Sequence, residues 1–129
     1  MEEKQLLRVA RILKVSARIV LLIMAVCLFG FSFLSGSESF GGGVQGILRN
    51  MPNTIPWAGL IVLVLFSWKQ PLWGSILVFL ATLFILYFFN FAGENFFLST
   101  FVLSLLLVFL GFALMITTLA TRPKKEKIK

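Results

Sequence analysis

Five carboxylates, one thiol and no imidazole make up the acid–base and nucleophilic inventory of this chain. The carboxylates are Glu2, Glu3, Glu38, Glu94 and Glu126, with no Asp, and the thiol is Cys27. General acid–base catalysis draws on His or a positioned carboxylate. Transition-metal sites draw on clusters of His and Cys. Neither can be assembled from these residues. The sequence therefore argues for a non-enzymatic protein with no metal and no cofactor. A single Cys also excludes an intrachain disulfide.

The remaining chemistry is that of uncharged polar groups and one cation. Arg49, Asn50, Asn53 and Thr54 follow one another beside Pro52 and Pro56. Polar groups at bilayer depth are costly and usually serve a purpose, so these four are the candidate functional cluster. Glu38 and Glu94 fall on the same expected side and are candidate partners for Arg49. A second set is small residues at helical spacing. Ser104, Gly111 and Thr118 lie on one face with Thr100, and Gly74 and Ala81 share a face of the preceding run. Small residues let helix backbones approach closely in lipid, so helix packing is their expected role.

Four apolar runs position these residues. Hydrophobic residues make up 59% of the chain and charged residues 13%, against roughly 25% charged in soluble domains. The runs read as an all-α membrane protein, a four-transmembrane-helix bundle forming one domain over 1–129. Spans are expected at about 15–34, 48–68, 72–91 and 96–120, with an outer loop at 35–47 and a cytoplasmic tail at 121–129. The basic start and first run are expected to be a retained span, because the run is longer than the apolar part of a signal peptide.

Charge sets the orientation. Of twelve Lys and Arg residues, all but Arg49 fall at the first span's start, at Lys69, or after the fourth span. Loop Lys and Arg resist translocation, so both termini are expected in the cytoplasm (N-in/C-in). Lys4, Arg8, Arg11, Lys14 and Arg18 fall within about a third of a helical circumference. They suggest an amphipathic start with its basic face on anionic headgroups. The net charge of +7 is thereby assigned to the lipid surface and not to nucleic acid.

Trp68-Lys69-Gln70-Pro71-Leu72-Trp73 reads as a tight cytoplasmic hairpin. Its two indoles belong at the interface, and Pro71 suits the first turn of a helix. Trp68, Lys69, Trp73, Arg8 and Arg11 are thus the expected interfacial anchors. The three consecutive glycines 41–43 read as a flexible connector. Span two is the irregular one. Its apolar stretch, 55–68, covers about 21 Å at 1.5 Å per residue, against a core of about 30 Å. A break or kink is expected between Asn50 and Pro56.

The stretch IPWAGLIVLVLFSWKQPLWGSILVFLATLFILYF resembles a family of small uncharacterised prokaryotic four-span proteins. A basic start of the LLRxARI type is matched by Leu6-Leu7-Arg8-Val9-Ala10-Arg11-Ile12. A Trp-Lys-x-Pro-Leu-x-Gly hairpin is matched by Trp68, Lys69, Pro71, Leu72 and Gly74. Ser75 stands where a second Gly is often found, and an outer-side His near the start of span two is absent. The resemblance implies the four-span topology and a bacterial or archaeal plasma membrane, and carries no assigned activity.

The expected role is that of an accessory or self-associating membrane bundle, with a homo-oligomer or another membrane protein as partner. The alternatives are a small transporter or channel using the polar segment of span two, and a holin-like pore former. A polar cavity reaching the bilayer midplane would favour transport, and a filled bundle the accessory role.

Overall fold

The computed structural model describes residues 2–39, 41–91 and 97–122, with the backbone alone for 37–39. Four helices follow one another: α1 (Glu3–Ser39), α2 (Gly43–Lys69), α3 (Pro71–Asn90) and α4 (Leu98–Ala120). Each is long and apolar enough to cross a membrane. The 20 residues of α3 rise about 30 Å, the thickness of a hydrocarbon core. The 37 residues of α1 rise about 55 Å, so its basic first turns project past the bundle.

The helices pack as a ring. α1 touches α2, α2 touches α3, α3 touches α4, and α4 closes on α1. Among the described residues the diagonal pairs make no backbone approach. Short connections between neighbours dictate the up-down-up-down order. At one end lie the start of α1, the α2–α3 turn and the end of α4, hereafter the termini end. The opposite end is the far end.

Side chains are distributed inside out. Val62, Phe109, Phe112 and Leu80 face outward in the middle of their helices. The interior holds a narrow apolar column, including Leu21, Leu60, Val64, Val78, Ile85, Leu107 and Leu114. Beside it lie Asn50, Thr54, Ser67, Ser75, Thr82, Asn90, Ser104, Thr117 and Thr118, all buried. Several hydroxyls bond back to their own helix: Ser75 to Leu72 O at 2.9 Å, Thr82 to Phe79 O at 2.6 Å and Thr117 to Ala113 O at 2.7 Å. This local bonding satisfies those donors where water is excluded.

Two expectations are corrected. The outer loop expected at 35–47 is mostly helix: α1 runs to Ser39 and α2 begins at Gly43. Between them, Gly41, Gly42 and Gly43 take φ of 98°, 72° and 68°. That left-handed backbone is open to glycine at little steric cost. Of the break or kink expected in span two, the break is absent. α2 is helical without a gap from Gly43 to Lys69, with Pro52 and Pro56 inside it. Its polar first half stays helical because its side chains bond to α1 and to its own backbone. The hairpin matches expectation: Gln70 ends α2 and starts α3, with Pro71 in the first turn.

Candidate functional site

Asn50 and Asn53 lie three residues apart on the face of α2 that meets α1, and both are tied to Ser32 of α1. Asn50 donates through Nδ2 to Ser32 O at 2.7 Å and to Thr54 Oγ1 at 3.1 Å. The Ser32 hydroxyl returns a bond to Asn53 O at 3.0 Å. Asn53 Nδ2 donates to Asn50 Oδ1 at 3.1 Å, and Thr54 Oγ1 to Asn50 O at 3.2 Å. Asn50 is 1% exposed and Thr54 5%. Gly36, one turn beyond Ser32, makes the approach possible, since a Cβ there would collide with the Asn50 carboxamide.

Three members of the sequence cluster therefore converge and one does not. Arg49 is exposed on another side of α2. Adjacent helical residues point about 100° apart, so Arg49 does not converge with Asn50 despite their proximity in sequence. Glu38 lies in the last turn of α1 with its side chain outside the described residues, and Glu94 lies outside them altogether.

Next to this junction a cavity of about 580 Å³ opens at the far end. Leu28, Phe31, Ser32, Ser35 and Gly36 of α1 form one wall, and Thr100, Leu103 and Ser104 of α4, with Phe97 just before it, the other. Asn50, Asn53 and Trp57 of α2 and Phe89 of α3 close the back. Trp57 and Phe89 stack at 5.1 Å between centroids. Among the described residues, every lining group is apolar, aromatic, hydroxyl or amide, and none carries a charge. Among the described residues no three His, Cys, Asp or Glu side chains gather to hold a metal.

One neighbouring residue escaped sequence reading. Asn90 looks like the start of a loop, but it is the last residue of α3 and 3% exposed. Its Nδ2 donates to Leu86 O at 2.8 Å and to Ser104 Oγ at 3.1 Å, and the Ser104 hydroxyl donates to Thr100 O at 2.8 Å. Asn90 Oδ1 is buried without a partner. Asn90 ties α3 to α4 as Asn50 ties α2 to α1. An Asn closing the apolar run of α3 was the available signal.

The termini end carries the charges. Arg18 is 6% exposed. Its Nη2 donates to Ser67 O at 3.2 Å, and its guanidinium carbon sits 5.0 Å from the Trp68 ring centroid. Lys14 donates to Thr121 Oγ1 at 3.1 Å, joining α1 to α4. Arg8, Arg11, Trp68, Lys69 and Trp73 are exposed around this end.

The small residues sit at helix crossings. Gly74 is buried against α2, where an added Cβ would strike the Ser67 backbone. Gly111 lies against α3, its hypothetical Cβ 3.0 Å from Thr82 Oγ1 and 3.3 Å from Phe79 Cα. Ser104 and Thr118 are buried, and Ala81 is half-buried against the core.

The chain belongs to the family described as a domain of unknown function (DUF7670), whose model matches residues 4–128. No curated protein and no solved structure matches it.

Proposed function

We propose that this protein is a non-enzymatic multi-pass membrane bundle of the plasma membrane, both termini cytoplasmic, that acts as an accessory subunit or associates with itself. One observation carries the reading. The apolar column below the cavity is filled by Leu21, Leu60, Val64, Val78, Leu107 and Leu114, each fully buried. A filled midsection supports a scaffold and not a conduit. The outward-facing apolar shell supports contact with lipid or with another membrane protein. Among the described residues the cavity lining carries no side chain suited to acid–base work. The gathering of Lys and Arg at the termini end supports the orientation and an attraction to anionic headgroups there.

Detergent solubilisation, affinity capture and mass spectrometry test the role. The expected result is a stoichiometric membrane partner or a defined homo-oligomer. Reporters fused at the C-terminus and at Gly42 test orientation, and a translocated C-terminus would overturn it.

A second reading, a small transporter or channel using the Asn50–Asn53 segment, is favoured by the cavity itself. It requires the apolar column to open, and flux of a neutral solute into liposomes would support it.

A further inference from the structure

We propose that the far-end cavity binds an uncharged amphiphile, its hydroxyl- or carbonyl-bearing head inside and its apolar tail leaving between α1 and α4. A volume of about 580 Å³ lies within the range of roughly 300–1,000 Å³ typical of small-molecule sites. The lining is graded. Asn50 and Ser104 are buried at its inner surface, whereas Phe31, Phe97 and Leu103 are exposed on the two helices that flank the gap. A polar head entering from lipid would meet hydrogen-bonding groups within and leave its tail against apolar side chains.

The head must be neutral. Among the described residues no lining side chain carries charge, and an ion placed there would lose its hydration without gaining a counter-ion from them. Binding capacity is also left over. Among the described residues, Asn53 Oδ1 and the Thr100 hydroxyl are not used in side-chain bonds, while the Ser32 hydroxyl and the Asn50 carboxamide are engaged within the junction. Trp57 and Phe89 offer a flat aromatic surface against which an ester, a ring or a chain can lie. A head with both donor and acceptor character, such as a diacylglycerol, matches both groups, whereas a quinone, which only accepts, matches the Thr100 hydroxyl alone.

Trp57 gives the readout, since Trp68 and Trp73 lie at the opposite end. The full chain in detergent is titrated with a diacylglycerol brominated on its acyl chains, with a decyl-substituted benzoquinone, and with a phosphatidylglycerol brominated in the same way. The expected result is saturable fluorescence quenching by at least one uncharged probe but not by the charged one. Trp57→Phe should remove the saturable component. Thr100→Phe, which fills the cavity, should weaken it about tenfold or more with helicity unchanged by circular dichroism. Should Thr100→Phe fail to fold, Leu103→Trp at the exposed rim is read in its place. Diacylglycerol saturating alone identifies a membrane lipid, and benzoquinone saturating alone a redox lipid. Quenching proportional to mole fraction for all three probes would overturn the proposal, as would equal saturation by phosphatidylglycerol or indifference to a folded cavity variant. Because binding is read in detergent, its failure leaves the orientation and partner reading of the bundle untouched.

Discussion

Arg18 supplies a hydrogen bond that Pro71 cannot. The carbonyl of Ser67 lies in the last turn of α2, and the residue four positions on is a proline with no N–H to give. Arg18 reaches across from α1 and donates to it at 3.2 Å. Its charge is offset by the negative end of the α2 dipole and by the face of Trp68.

Arg18→Met should therefore destabilise the bundle by about 1–3 kcal/mol, the cost of stranding a buried carbonyl. Arg18→Lys should recover part of this, because it keeps the charge but loses the planar fork. Thermal unfolding in detergent reads both. A fully stable Arg18→Met would mean that the carbonyl finds water or a headgroup unaided.

The Asn50 junction makes an opposite pair of claims about neighbouring residues. Asn50→Leu removes bonds to Ser32 and Thr54 and should cost about 1–2 kcal/mol. Arg49→Ala should stay within about 0.5 kcal/mol, as exposed substitutions do. Reversed magnitudes in an unfolding titration would show that the sequence grouping around Arg49 was the better guide.

The four helices were legible because hydropathy measures transfer into lipid, and these segments are long enough to register. Partners are another matter. Asn50, Asn53 and Pro52 read as a break in α2 because the groups that satisfy them sit on α1, in the turn containing Ser32. Arg18 read as one of five surface cations, although its burial depends on where α2 ends. Gly74 and Gly111 were found because close approach leaves a residue-size signature at each helix by itself. Single-helix properties are written locally, and pairings between helices are not.

Gly36→Ala should loosen the α1–α2 contact. The added Cβ collides with the Asn50 carboxamide, so α1 must shift or the amide must leave Ser32. A loss of about 1–3 kcal/mol is expected, typical of overpacking. Gly30→Ala is the control, since nothing lies near its Cβ position. Equal stability of the two variants would remove the idea that Gly36 sets the α1–α2 spacing.

Gly111→Leu should cost more than Leu106→Ala. Gly111 faces the α3 backbone, with Phe79 Cα only 3.3 Å from where a Cβ would stand, whereas Leu106 is 44% exposed. Gly74→Leu should behave like Gly111→Leu, because the Ser67 backbone blocks it. The order of unfolding midpoints decides, and a Leu106→Ala variant less stable than Gly111→Leu would contradict the packing.

The α1–α4 contact is the only side of the ring not closed by a short connection between consecutive helices. During synthesis the helices emerge in order, so α1–α2 and α3–α4 can each pair as hairpins before this seam exists. The seam is thus the final joint in assembly, and the Gln70 turn between the two hairpins is the natural place to divide the gene. Two separately expressed halves, cut within that turn, should find each other and rebuild the seam.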